Sequence, residues 1–290
     1  MSVWQGKLNY LITNFKLMDN RFPNLLIIGA MKSGTTSLHD YLNKHPDVFM
    51  SEPKEIHYYA TNSKMAKEEY LELFQSEKKI VGTSPQSYTK CHNKYYKDIP
   101  ERIYKDTPHV KLIYIVRDPI ERYKSHILES FHCDPIEDIE YSKSSGNYIK
   151  TSMYGLQLKA YLEFFDLSQI HILSLEDLNA KPLEEMNKLF DFLGIDQMKE
   201  AHLFQTKKNT AESKNIPRII KSHFLYRIGK RINRRITQKI AERLAFRFFK
   251  EQLTKPQLYE NEISDLKNYL KGDIDEFRRI TGKKFEQWCI

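Results

Sequence analysis

The run Leu25-Leu-Ile-Ile-Gly-Ala-Met-Lys-Ser-Gly-Thr-Thr-Ser-Leu38 constrains the fold more than any other part of this chain. Four apolar residues, a loop bounded by Gly29 and Gly34, and a hydroxyl-rich continuation predict a buried strand that turns through an anion cradle into a helix. The glycine spacing is that of the nucleotide-hydrolase pattern G-x-x-x-x-G-K-[ST]. Here, however, Thr35 stands where the lysine of that pattern belongs, and Lys32 lies inside the loop. Backbone N–H groups of Lys32 to Thr36 are expected to face inward at a helix N-terminus, where the dipole favours an anion. Ser33, Thr35, Thr36 and Ser37 add hydroxyls, and Lys32 adds a mobile ammonium. The pattern keeps the anion cradle and drops the triphosphate and magnesium machinery. The plainer alternative is a glycine turn of the kind any strand–helix connection can carry.

Further along, Val48-Phe-Met50, Lys79-Ile-Val81, Lys111-Leu-Ile-Tyr-Ile-Val116 and Gln169-Ile-His-Ile-Leu-Ser174 read as short strands. Helical patterns fill the intervals, notably Met65 to Gln75, Ser152 to Phe165 and Pro182 to Leu193, the last stopped by Gly194. His45-Pro46 should end the helix that follows the loop. Strands alternating with helices predict a parallel sheet covered on both faces, with ligands bound beyond the carboxyl ends of the strands. A chain of 290 residues, 40% hydrophobic and 29% charged, has enough apolar material for one large α/β core. No run of 18 apolar residues and no charged-then-apolar leader is present, so cytoplasmic residence is the expectation. Cys91, Cys133 and Cys289 are scattered and odd in number, and their spacing suits neither a disulfide framework nor a zinc site. No metal is expected.

A second anion site is expected where the strand Lys111–Val116 runs into Arg117-Asp-Pro-Ile-Glu-Arg-Tyr-Lys-Ser125. A magnesium-dependent hydrolase would place an aspartate directly after such a strand. Arginine stands there instead, and its planar fork binds phosphate without metal. Pairing of Arg117 with Asp118 or another nearby carboxylate is the structural alternative.

The ordered pair of sites resembles the sulfotransferases that use 3′-phosphoadenosine 5′-phosphosulfate (PAPS). Met31-Lys-Ser-Gly-Thr-Thr-Ser37 is similar to their 5′-phosphosulfate loop, and Val116 to Ser125 to their 3′-phosphate element, with Arg117 and Ser125 eight apart. The likeness continues through Tyr154 to Phe165, Glu176-Asp-Leu178, Phe192-Leu-Gly194 and, more weakly, Ile280 to Trp288. It implies an α/β fold, a P-loop-like three-layer sandwich around a mainly parallel sheet, in a single domain from residue 23 onward after an extension over 1–22. By resemblance PAPS is the co-substrate, held by Lys32, Ser33, Gly34, Thr35, Thr36, Ser37, Arg117 and Ser125, with Lys32 also catalytic.

His45-Pro-Asp-Val-Phe-Met-Ser-Glu-Pro-Lys-Glu-Ile-His-Tyr-Tyr59 is most similar to the carbohydrate branch of the family, which includes heparan sulfate enzymes and bacterial relatives. There a glutamate before an aromatic-rich segment is the general base, and it maps onto Glu55. An acceptor hydroxyl loses a proton as it attacks sulfur, and a placed carboxylate can take it. A surface pair with Lys54 or Lys78 is the alternative for Glu55, and His57 and His92 are rival bases. Two departures stand out. Gly82-Thr83-Ser84-Pro85 lacks the acidic residue, followed by lysine or alanine, that relatives often carry before a Ser-Pro pair. The glycine-rich adenosine loop of the cytosolic branch is absent, and Thr206 to Arg218 is expected to replace it, with Lys214 or Arg218 near the nucleotide.

Arg218 to Lys250 carries eleven lysines and arginines against one acid, Glu242, a net +10 in a chain of total charge +8. The basicity is therefore local. A solvated helical arm, capture of an anionic glycan and contact with a membrane surface are its three readings, and no nucleic acid is expected. The expected acceptor is a hydroxyl, or an amine, of a carbohydrate-like molecule. A P-loop small-molecule kinase and a non-catalytic polyanion-binding protein on the same fold are the alternatives.

Overall fold

Alternation of apolar residues with 3.6-period helices gives a parallel sheet. The computed structural model describes residues 22–133, 146–204 and 258–290. Strands β1 (Leu25–Gly29), β2 (Val48–Met50), β3 (Ile80–Thr83), β4 (Lys111–Val116) and β5 (Ile170–Ser174) lie in the order β2-β3-β1-β4-β5, every neighbouring pair parallel. The all-parallel α/β fold is the one the sequence predicts. β1 lies between β3 and β4, so the chain builds first to one side of β1 and then to the other. Sheets with such a reversal bind ligands beyond the carboxyl ends of the strands.

The described residues form two compact units, one within 22–116 and 157–204 and the other within 117–133, 146–156 and 258–290. The first holds the whole sheet. Leu25 and Ile27 of β1, Ile113 and Ile115 of β4 and Leu173 of β5 share a core with Leu38 and Leu42 of α1 (Thr35–Leu42), Leu178 of α7 (Leu175–Ala180) and Met186, Leu189 and Phe190 of α8 (Pro182–Leu193). The alternate residues Leu26, Ile28, Leu112, Tyr114 and Val116 face the other way and are fully buried too. Burial on both faces explains why β1 and β4 read as continuous apolar runs. Helices α2 (Lys67–Glu72) and α3 (Ile99–Asp106) and the greater part of α6 (Tyr154–Leu162) also lie in this unit.

The second unit contains α4 (Pro119–Cys133), α5 (Asn147–Ser152) and α9 (Glu260–Thr281). Buried Arg122 of α4 ties α4 to α5 by donating to Ser152 Oγ and the Tyr148 carbonyl. The helix predicted from Ser152 to Phe165 is divided at Met153, which leaves the helical region, and a new helix starts at Tyr154. The Asp273 carboxylate of α9 takes the amides of Gly155 and Leu156 at 2.9 and 2.7 Å, satisfying two orphan donors of the restarted helix. Among the described residues no helix is long and apolar enough to cross a membrane.

Candidate functional site

The loop after β1 is built by close contacts that only glycine permits. A Cβ on Gly29 would fall 2.1 Å from Thr89 Oγ1, and one on Gly34 would fall 2.6 Å from Leu175 Cδ1 at a backbone φ of +92°. Lys32 also has positive φ, 70°, an uncommon conformation for a residue with a side chain. The Ala30 amide donates to the Ile115 carbonyl at 2.6 Å, which fastens the loop's first residue to β4. Gly34 caps α1 with no side-chain hydrogen bond, so the first-turn amides of Thr35, Thr36 and Ser37 lack intrahelical partners. One detail differs from the sequence expectation. The Ser33 amide turns back to the Ala30 carbonyl at 3.1 Å, so its N–H is engaged within the loop. The Ser33 hydroxyl is buried and has no hydrogen-bond partner among the described residues, a costly state.

Glu55 lies in the same unit and is linked to the loop through one side chain. Lys54 Nζ is 2.9 Å from Glu55 Oε1 and 3.4 Å from Thr35 Oγ1, to which it donates. The Lys54 carbonyl accepts from the Ser84 amide at 3.0 Å and Thr83 Oγ1 at 3.1 Å, so its backbone is fixed to the end of β3. The pairing of Glu55 with Lys54 weighed from sequence is therefore present, and it is directed at the loop. Lys78, the other candidate, donates to the Pro46 carbonyl. Ser84 Oγ is 2.7 Å from His39 Nδ1, which engages the hydroxyl of the divergent Ser-Pro pair inside the protein.

The rival bases differ in what their hydrogen bonds allow. His57 Nε2 is 4.0 Å from Glu55 Oε2, and its Nδ1 is buried without a hydrogen-bond partner among the described residues. Burial pushes the His57 pKa below the ordinary histidine value; Glu55 opposes the shift, and Lys90 and Lys54 reinforce it. His92 is held differently. Gln157 accepts from the Cys91 amide at 2.8 Å, which turns its NH₂ end toward His92 Nδ1 at 3.1 Å. Nδ1 must then be the acceptor, which leaves the ring proton on Nε2.

In the second unit, Arg117 follows β4 directly. Its carbonyl accepts from the Tyr154 hydroxyl at 2.7 Å, and Tyr154 packs against Phe277 and Trp288 with ring centroids 5.6 Å apart in each case. Asp118 is not its ion-pair partner: Asp118 Oδ1 accepts the Ile120 and Glu121 amides at 2.9 and 3.0 Å and so caps α4. Arg117 Nη2 instead lies 3.7 Å from Glu121 Oε2, and Lys124 Nζ lies 2.8 Å from the other oxygen of the same carboxylate. Ser125 is partly buried on α4. Lys214, Arg218 and the whole basic segment 218–250 lie outside the described residues, as do residues 1–21 of the N-terminal extension. Among the described residues no group of three or more His, Cys, Asp or Glu could hold a metal ion.

A family model of the sulfotransferase domain matches residues 22–255. The chain belongs to the sulfotransferase domain family. One sulfotransferase domain thus runs through residues of both units. Heparan sulfate glucosamine 3-O-sulfotransferase 5 of Mus musculus is 29% identical over 192 residues, 60% of this chain and 54% of that protein. Heparan sulfate glucosamine 3-O-sulfotransferase 3A1 of the same organism is 29% identical over 205 residues, 65% of this chain and 51% of that protein. The chain thus spans about half the length of the curated relatives it matches. Among solved structures, a sulfotransferase from Alicyclobacillus acidocaldarius shares the fold at a TM-score of 0.64 and 18% identity, covering 92% of this chain and 98% of that one.

Sequence reasoning passed over Lys54 and Lys90 as members of the site. Lys90 is buried, its Nζ 3.1 Å from the sulfur of Met31, next to Lys32 in the loop. Neither lysine carries a motif. The one available signal was the adjacency of Lys54 to Glu55, which reads equally well as a solvated surface pair.

Proposed function

We propose that this sulfotransferase-family chain transfers a sulfuryl group from PAPS to a hydroxyl of a carbohydrate-like acceptor. The observation that carries the proposal is the placement of a carboxylate, Glu55, one lysine away from a glycine-bounded loop with an internal lysine and a buried Ser33 hydroxyl that has no partner among the described residues. The residues present fit PAPS on chemistry. The loop offers first-turn amides, hydroxyls and a cation to a 5′-phosphosulfate, and Arg117 with Ser125 offers a fork and a hydroxyl to a 3′-phosphate. When bound, PAPS supplies the sulfuryl group and a bisphosphate leaving group. Lys32, in the loop, would neutralise charge developing on the departing phosphate oxygen. Glu55 would accept the proton of the acceptor hydroxyl, and the amides and hydroxyls of the loop would hold the 5′-phosphate fixed.

The heparan sulfate relatives support a glycan hydroxyl as acceptor, and their 29% identity leaves the particular sugar open to experiment. The test has two arms. Calorimetry in EDTA should show tight binding of 3′-phosphoadenosine 5′-phosphate (PAP), and labelled sulfate should pass from PAPS to a glycan acceptor panel. Binding that requires magnesium, or a preference for ATP, would replace this reading with a kinase. PAP binding without transfer to any acceptor would leave a non-catalytic binder.

A further inference from the structure

Lys54 has one ammonium and two claimants. Its Nζ is 2.9 Å from Glu55 Oε1 and 3.4 Å from Thr35 Oγ1, the hydroxyl at the first helical position after the loop. Its carbonyl is bound by Ser84 and Thr83 at the end of β3, so the backbone is fixed and only the flexible side chain is left to choose between them. Thr35 is buried, whereas Lys54 and Glu55 are partly buried, with side chains 20% and 30% exposed. A charge pair in that setting is screened less than one on the open surface.

We infer that Lys54 is a positioning residue shared between Glu55 and the anion bound by the loop, so that donor binding and the availability of the Glu55 carboxylate are thermodynamically linked. This rests on the reading of the loop as a donor site and of Glu55 as the base. Without donor, Lys54 occupies Oε1 of Glu55. A phosphate at the loop draws the same ammonium toward Thr35 and frees that oxygen to meet an acceptor proton. Linkage makes the effect reciprocal: whatever removes Glu55's claim on Lys54 must tighten the loop's hold on its anion. The device favours a carboxylate that becomes free once the donor is in place.

The test is a double-mutant cycle on PAP binding, measured by calorimetry in EDTA with wild type, Glu55→Gln, Lys54→Met and the double variant. Removing a negative charge near an anion site tightens binding through space in any case, so the size of the effect in each background decides the matter. Sharing predicts that Glu55→Gln tightens PAP about 10-fold when Lys54 is present, the low end for gaining a hydrogen bond to a charged group. In the Lys54→Met background, where only through-space repulsion is relieved, the gain should be about 2-fold. Lys54→Arg should restore most of the difference, and thermal melting of each variant should confirm that it is folded. Equal tightening in the two backgrounds, or none in either, overturns the linkage while leaving the donor site intact. Failure of the wild type to bind PAP would instead remove the proposed function on which the inference stands.

Discussion

Replacing Glu55 by glutamine separates the three groups that compete for the role of base. The change keeps the side chain's length and shape and removes its ability to accept a proton. If Glu55 takes the acceptor proton, turnover should fall by about 10²–10⁴-fold, the range for a placed general base. That corresponds to about 2.7–5.4 kcal/mol of transition-state stabilisation at 1.36 kcal/mol per decade. Stability should hardly move: the ion pair lost is the partly exposed contact with Lys54 at 2.9 Å, and pairs of that kind contribute about 0–1 kcal/mol. Loss of rate without loss of melting temperature is therefore the signature of a chemical role.

The histidines predict other outcomes. His92 accepts at Nδ1 from Gln157, which leaves a proton on Nε2 and makes that atom a donor. His92→Ala should accordingly cost only a few-fold through the lost contact. His57 is held toward its neutral form by burial, with its Nε2 4.0 Å from Glu55, so it is able to orient the carboxylate or to replace it. Steady-state rates with labelled PAPS and a saturating acceptor distinguish these cases. A Glu55→Gln enzyme that keeps more than about a tenth of its turnover, beside a His57→Ala or His92→Ala enzyme that loses 100-fold or more, would refute the assignment of a carboxylate base.

Three further outcomes are expected. Arg117→Ala should weaken PAP binding by about 1.5–3 kcal/mol, a hydrogen bond to a charged group, with no compensating loss of fold because Lys124 already holds the Glu121 carboxylate; calorimetry showing unchanged affinity would remove Arg117 from the donor site. Gly34→Ala should cost about 1–2 kcal/mol in urea unfolding, from the left-handed backbone alone, and more if Leu175 cannot move aside; an unaltered midpoint would mean that the loop relaxes freely. The folded state holds the His57 pKa below its unfolded value of about 6.5, so His57 contributes stability above that pH that is lost as the pH falls through the lowered value. Melting temperature should therefore decline less steeply below about pH 6.5 in His57→Gln than in the wild type, and parallel declines would contradict the burial argument.

The sheet and the loop were legible in the sequence because they rest on local rules. Apolar runs buried on both faces, Gly29 and Gly34 where a Cβ would fall 2.1 and 2.6 Å from a neighbour, and Gly194 at a helix end are positions where one residue type answers a local demand. The break at Met153 was not legible, because the group that satisfies the restarted helix is a carboxylate more than 100 residues away: Asp273 accepts the Gly155 and Leu156 amides. The same asymmetry governs the site. Asp118 was weighed as an ion-pair partner of Arg117, yet its neighbours' amides claim it as a helix cap, a local competition that a D-P-x-E reading could have anticipated. Lys54 is the opposite case. Its meaning depends on Thr35 and Glu55 being within reach of one ammonium, and that follows from the parallel order β2-β3-β1, which brings the segment after β2 beside the loop after β1. Parallel topology gathers the ends of strands far apart in sequence at one edge. Motifs therefore locate that edge, while the residues that tune its chemistry arrive from loops whose sequence carries no pattern of its own.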